Sequence, residues 1–216
     1  MFEHGSGIDI IYADEYLLVL NKPSGLLSVP GRGEDKQDCL SARAKLHYSD
    51  ALIVHRLDMS TSGLMLMARG AAMQTSLGKL FEARRVDKRY TAVVDGQLPV
   101  SSDWQVIDAP IALDWPNRPL RFIDTHAGKP SQTRWRAVSC DAAANTTRVE
   151  LQPITGRSHQ LRVHLKALGH PILGDALYAP ASTQAKSPRL LLHASELRFL
   201  HPADASERVF ALAPAF

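Results

Sequence analysis

Three stretches of the sequence carry side chains able to do chemistry. The first is residues 51–69, ALIVHRLDMSTSGLMLMAR, where two apolar runs bracket a polar insert from His55 to Gly63. Flanking strands would hold so short a loop firmly, and loops fixed on rigid scaffolds are where catalytic groups commonly sit. Asp58 is the carboxylate of that insert. The alternative is a plain turn in which Asp58 and Thr61 make local hydrogen bonds. The second stretch is Thr155-Gly156-Arg157-Ser158-His159-Gln160-Leu161-Arg162-Val163-His164. Its GRSHQ core begins like a hydrolase nucleophile elbow but ends in Gln where the elbow has Gly. Ser158 also stands at the start of an expected helix, where capping accounts for a serine. His159 and His164 are five positions apart, off a common helical face for a metal. They read as structural or as contacts to a partner, with no metal site. The third stretch is Lys88-Arg89-Tyr90, whose tyrosine reads from pattern alone as a strand aromatic in the core.

Other chemistries find no support. There is no G-x-x-x-x-G-K-[ST], no G-x-G-x-x-G after a strand and no H-E-x-x-H. Nucleotide hydrolysis, nicotinamide chemistry and zinc-dependent hydrolysis therefore lack a motif.

The elements that must position these groups are mostly short strands. Residues 16–20 form an apolar run closed by the turn signal Asn21-Lys22-Pro23-Ser24-Gly25. Residues 51–54, 64–68, 89–94, 133–138, 148–151, 190–193 and 209–212 complete the strand expectations. Residues 71–85 place Met73, Leu77, Leu80 and Phe81 at helical spacing, and residues 158–168 place Leu161, Leu165 and Leu168 on one stripe. Gly169 then stops the second helix and Pro171 prevents its continuation. A weaker helix covers residues 38–48. Many strands with a few interspersed helices predict an α+β fold. No internal repeat, low-complexity tract or linker appears, so residues 1–216 are expected to form a single domain.

The 216 residues are 45% hydrophobic and 22% charged, with a net charge of +3, an ordinary globular balance that permits an acidic partner without requiring one. Basic residues gather in three segments: Arg69 to Arg89, Arg118 to Arg136 and Arg148 to Lys166. Converging, they would suit a polyanion; singly, each is an ordinary solvated face. Cys39 and Cys140 form no C-x-x-C pair, and a reduced protein is the simpler reading. The N-terminal residues do not form a signal peptide, and no apolar stretch is long enough for a membrane span. A cytoplasmic protein with no membrane association is expected.

Taken together, the motifs resemble those of RluA-type pseudouridine synthases. His55-Arg56-Leu57-Asp58-x-x-Thr61-Ser62-Gly63 is similar to the H-R-L-D-x-x-T-S-G signature of that family. Asn21-Lys22-Pro23-Ser24-Gly25 resembles its N-K-P-x-G turn, Lys88-Arg89-Tyr90 its K-x-Y strand start, and residues 155–164 its T-G-R-x-H-Q-[IL]-R-x-H element. Gly169-His170-Pro171-Ile172-x-Gly174-Asp175 and Leu190-Leu191-Leu192-His193-Ala194 follow in the family's order. Asp114-Trp115-Pro116-Asn117-Arg118-Pro119 and Gly128-Lys129-Pro130-x-Gln132-Thr133 resemble its dual-specificity branch, as does the expected lack of an N-terminal S4 domain. The resemblance covers about residues 10–214.

It implies a pseudouridine synthase fold, a mixed and mostly antiparallel central sheet with flanking helices and a central RNA-binding cleft. It implies an isomerase that detaches uracil at N1, turns it and rejoins it through C5, with no cofactor. Asp58 would be the catalytic carboxylate, Arg157 the guanidinium that pairs with it, and Tyr90 the active-site phenol. Tyr90 would stack on the base or move a proton. The target base must leave its stack, and Arg56 matches the position proposed to take its place. His55, Lys88, Arg89, Arg118 and Arg162 are further candidate RNA contacts. The implied partners are 23S rRNA and tRNA stem-loops, with the protein a monomer. A non-catalytic RNA-binding protein is the competing reading; it would need no Asp58, Tyr90 and Arg157 set.

Overall fold

The apolar run near the start of the chain becomes a strand, Leu17–Lys22, whose first four side chains are fully buried. This strand is the second of twelve in the computed structural model, which describes residues 7–216. In chain order the elements begin with β1 (Asp9–Ala13), β2 (Leu17–Lys22), α1 (Leu40–Lys45), β3 (Ala51–Ile53), β4 (Ser62–Arg69), α2 (Ala71–Glu82) and β5 (Asp87–Asp95). They continue with β6 (Gln105–Asp108), β7 (Ile111–Leu113), β8 (Arg121–Ile123), β9 (Gln132–Asp141) and β10 (Thr146–Pro153). The chain closes with α3 (Gln160–Ala167), α4 (Ala181–Gln184), β11 (Leu192–Leu200) and β12 (Glu207–Ala211). The fold is α+β, mixed and mostly antiparallel. The described chain divides into two compact units, residues 7–88 with 193–215, and Arg89–Leu192 with Phe216.

In the first unit the strand order is β1-β2-β4-β11, with β12 paired to β11 and β3 to β4. All pairings are antiparallel except β4 with β11, where Ser62 lies opposite His193 and Gly63 opposite Ala194. β4 is buried along nearly its whole length, which is why it reads as a continuous apolar run rather than an alternating one. Leu17, Val19, Leu64, Leu66 and Ala68 form the core with Met73 and Leu77 of α2 and Leu197 and Phe199 of β11. The turn expected straight after Leu20 begins later. Asn21 and Lys22 continue the ladder opposite Leu64 and Gly63, and this carries the Lys22 side chain into the interior.

In the second unit the order is β5-β10-β9-β6, all antiparallel, beside a separate β7–β8 hairpin. Ala92, Val94, Trp135, Ala137, Val149 and Leu151 meet Leu161 and Leu165 of α3 in its core. α3 ends as expected: Gly169 adopts φ 86°, and the N–H groups of Gly169 and His170 bond the carbonyls of Lys166 and Leu165. Its start differs from expectation. The helix begins at Gln160 with His159 in the left-handed region at its N-cap and no side-chain cap, so Ser158 does not cap it. Cys39 and Cys140 are both free. Among the described residues no helix is long and apolar enough to cross a membrane.

Candidate active site

The Asp58 loop connects β3 to β4, and the sequence keeps it from collapsing by giving each backbone carbonyl from Leu57 to Ser60 a donor. Ser28 donates its hydroxyl to the Leu57 carbonyl at 2.7 Å and accepts the Leu57 N–H at 3.1 Å. The Asp58 carbonyl accepts from Thr61 N–H within the loop. The Met59 carbonyl accepts from the Lys22 ammonium and the Gly25 N–H, both at 2.9 Å, and the Ser60 carbonyl from the Ser24 hydroxyl at 2.7 Å. Residues 22–28 therefore act as a clamp on the loop, and the expected turn of local bonds is only one part of it.

Lys22 is the anchor of this clamp. Its side chain is fully buried, and its ammonium also donates to the carbonyls of Pro23 at 2.9 Å and Leu26 at 2.7 Å. Burial pulls its pKa down to about 8, and the negative charge of Asp58 pulls it back up, so it remains charged at neutral pH. The charge of the candidate carboxylate is thus felt by a buried cation fixed to the same loop.

The ends of the loop are tied as well. β3 stops at Ile53, and beyond it His55 Nε2 accepts the Leu66 N–H of β4 at 2.9 Å, taking over from the strand as acceptor. An accepting Nε2 requires a neutral ring, and desolvation followed by the Lys88 charge pushes the His55 pKa down to about 3. The ring stacks on Phe81 of α2, 4.6 Å between centroids. His55 thus props the loop and has its acceptor nitrogen committed inward. At the other end Gly63 has φ 108°, and a Cβ there would lie 2.6 Å from the Ala194 nitrogen and against the Ala194 carbonyl. Only glycine allows β4 to approach β11 this closely. The adjacent Ser62 hydroxyl meets His193 Nδ1 at 2.9 Å. What the loop offers to solvent is Arg56 and Met59, both exposed, with Asp58 half-buried between them. Lys88 is half-buried, and burial lowers its pKa.

In the second unit the segment from Thr155 to His164 is organised in the same manner. Gln160, itself buried, accepts at Oε1 from the Thr155 hydroxyl at 2.8 Å and the Arg157 N–H at 3.0 Å. Its Nε2 donates to the Gln132 carbonyl and to Thr133 Oγ1. His164 Nε2 faces the Ala109 carbonyl at 3.0 Å, and a carbonyl only accepts, so that nitrogen carries the proton. His164 Nδ1 then takes the Thr133 hydroxyl at 2.9 Å, and burial lowers the His164 pKa. Arg162 is 3% exposed and makes a bidentate pair with buried Asp175, through Nε at 2.8 Å and Nη2 at 2.5 Å. That commits its fork to a carboxylate inside the unit and away from any phosphate. His159 Nδ1 lies 2.6 Å from the Tyr178 hydroxyl, which accepts the Arg121 N–H. Arg157 is left as the exposed cation of the segment, with Nε donating to the Pro130 carbonyl at 3.3 Å. Tyr90 sits on β5 opposite Leu151, half-buried against the second unit's core. Arg89 is half-buried and Arg118 exposed. Among the described residues no three His, Cys, Asp or Glu side chains are grouped to hold a metal.

A family model described as RNA pseudouridylate synthase matches residues 16–167, which include the clamp, the Asp58 loop, Tyr90 and the Arg157 segment. The chain belongs to this family, in its RluA branch. The dual-specificity RNA pseudouridine synthase RluA of Escherichia coli (strain K12) is 49% identical over 206 residues, 95% of this chain and 92% of that protein. The protein of that name from Vibrio parahaemolyticus is 49% identical over 90% of this chain and 78% of its own length. The structure of human RNA pseudouridylate synthase domain containing 1 aligns with TM-score 0.79 and 30% identity, covering 100% of this chain and 87% of its own. As a pseudouridine synthase the chain is an isomerase that converts uridine to pseudouridine in RNA. Sequence reasoning did not assign Lys22, Ser24 and Ser28 to the Asp58 loop. The Asn21-Lys22-Pro23-Ser24-Gly25 turn signal marks Lys22 and Ser24 in the sequence without showing what they hold, and Ser28 leaves no trace.

Proposed function

We propose that this pseudouridine synthase modifies uridines in two kinds of stem-loop, one in 23S rRNA and one in the anticodon arm of tRNA. The supporting observation is identity near one half, over nearly the full length, to relatives named for dual specificity. The D-W-P-N-R-P and G-K-P segments, residues 114–119 and 128–130, resemble that branch as well. Asp58 is the catalytic carboxylate, acting while the N1–C1′ bond breaks. The C5–C1′ bond then forms, C5 gives up its proton and N1 takes one up, so the isomerisation balances with no cofactor. Arg157 pairs with the carboxylate and orients it. Tyr90 stacks on the base or relays the proton. Arg56, exposed two residues before Asp58, enters the RNA where the flipped uridine has left. Lys88, Arg89 and Arg118 contact the phosphates, with Arg162 and His55 serving the scaffold. The enzyme acts as a monomeric, single-domain cytoplasmic protein.

The test is incubation with unmodified tRNA and 23S rRNA transcripts, followed by carbodiimide labelling and reverse transcription. Stops in both RNAs that vanish with Asp58→Asn are expected. Stops in one RNA alone would retain the reaction and remove dual specificity. RNA binding without stops would favour a non-catalytic binder.

A further inference from the structure

The β7–β8 hairpin ends in a loop, residues 114–120, that is more rigid than its solvent position requires. The Asp114 carboxylate accepts the Asn117 N–H at 3.2 Å and the Asn117 side-chain amide at 3.0 Å and 3.1 Å. Asp114 N–H bonds the Leu120 carbonyl, and Leu120 N–H the Asn117 carbonyl. Ile111 of β7 joins Val163 and Tyr178 in a small cluster on which Leu120 and Ile123 pack, and the Arg121 N–H donates to the Tyr178 hydroxyl. Yet the loop turns its largest side chain outward: Trp115 is 64% exposed. The Arg118 guanidinium lies 4.2 Å from the centre of its ring.

Arg118 differs from the paired arginines of the chain. Arg43, Arg69, Arg136, Arg162 and Arg208 each meet a carboxylate. Among the described residues Arg118 has none, and an indole alone holds its charge in place. A flat, exposed ring beside an uncompensated cation, both on a braced loop, matches a ligand that has a π-face and a negative charge within one residue of each other. An unpaired nucleotide has both.

We propose that Trp115, with Arg118 beside it, is a stacking platform for an unpaired nucleotide of the RNA substrate other than the uridine being isomerised. The base lies on the indole face opposite the one that Arg118 covers, and its phosphate meets the guanidinium past the ring edge. The proposal rests on RNA being the substrate and assigns Trp115 a role in holding it.

Trp115→Ala and Trp115→Phe are compared with wild type on an unmodified tRNA anticodon stem-loop and a 23S rRNA hairpin transcript. Stacking of one base is sequence-tolerant, and its loss weakens binding on the order of ten-fold. The alanine variant should raise the RNA concentration for half-maximal rate by that factor. The phenylalanine variant, which keeps a ring, should recover most of it, which a merely structural role would not produce. Arg118→Ala should weaken binding and make the salt dependence shallower by about one phosphate contact. In a Trp104→Phe background, RNA should quench fluorescence that Trp115→Phe removes. Equal half-maximal concentrations for wild type and Trp115→Ala, or quenching that survives Trp115→Phe, would overturn the platform while leaving the reaction intact. A wild type that binds RNA through Trp115 yet makes no pseudouridine would support the platform and overturn the proposed function instead.

Discussion

Replacing Lys22 by Met tests whether the buried ammonium holds the Asp58 loop. The side chain is fully buried, and its three carbonyl acceptors lie at 2.7–2.9 Å. All three carbonyls lose the ammonium, but Met59 keeps the Gly25 N–H, so those of Pro23 and Leu26 are the two left without this donor. Each buried acceptor left unsatisfied costs about 1–3 kcal/mol. Against this, Met no longer buries a charge whose pKa has fallen from 10.5 to about 8, a relief of about 3 kcal/mol at neutral pH. The two effects nearly cancel, and stability at pH 7 alone is a poor readout. The pH dependence is decisive. Because the folded pKa is below the unfolded one, the unfolded chain binds more protons between about pH 8 and 10.5. Wild-type stability therefore gains from this group as pH rises through that window, and below it the contribution is constant. From pH 7 to 9.5 the gain is about 2 kcal/mol, and Lys22→Met lacks it. Urea unfolding of both proteins at the two pH values, with equal m-values, cancels the titration of every other group. A difference below roughly 1 kcal/mol, or of opposite sign, would refute the assignment of a strained buried charge. Catalysis should follow the same group. A neutral amine has two hydrogens for three carbonyls, so the wild-type rate should fall above pH 8, and Lys22→Met should be slow at every pH.

Four further outcomes are expected. His55 is held neutral with a pKa of about 3, below its unfolded value of 6.5, so its contribution to stability is present above pH 6.5 and is lost as pH falls toward 3; His55→Phe should flatten that acid limb in urea titrations between pH 7 and 4. Gly63→Ala forces a Cβ into the Ala194 backbone at φ 108°, and should lose at least about 2 kcal/mol in urea unfolding, with slow catalysis in the remaining folded enzyme. Asp175→Asn leaves the Arg162 charge buried without its carboxylate, and should cost about 3–5 kcal/mol. Arg162→Met, which strands the Asp175 carboxylate in turn, should, if folded, leave the salt dependence of RNA binding unchanged, since a guanidinium inside the unit releases no counterion.

The strands were legible where burial is two-sided or alternation strict. β4 and β9 show this, and both helices with a long apolar stripe were found at nearly their observed bounds. β1, β6, β7 and β8 were not anticipated. They are short and partly exposed, and β7 and β8 are joined by a loop whose hydrogen bonds, centred on Asp114 and Asn117, no periodicity reveals. β2 was read two residues short, because a turn signal was taken at its first residue, Asn21, although partners Leu64 and Gly63 in β4 extend the ladder through Lys22. That shift of two residues separates a surface lysine from a buried one, and only the pairing decides it.

The polar motifs themselves follow a common logic that their composition conceals. In the segment from Thr155 to His164, Thr155, Gln160, Arg162 and His164 all satisfy partners inside the unit, and the exposed cation is Arg157. In the loop from His55 to Gly63, His55, Ser62 and Gly63 face inward, and Arg56 is turned out beside the half-buried Asp58. A charged side chain on such a loop gains accuracy from a backbone with its carbonyls engaged, since a displacement of even an ångström at reacting atoms is costly in rate. Buried polar groups are stable only when fully partnered. The same hydrogen bonds that satisfy this requirement also fix the loop, so most residues of such a motif are expected to act on structure first and on rate only through Asp58 or Arg157. Substitutions at Gln160 or Ser28 should therefore lower stability and rate together, whereas Asp58→Asn should abolish the rate and leave unfolding within about 1 kcal/mol of wild type.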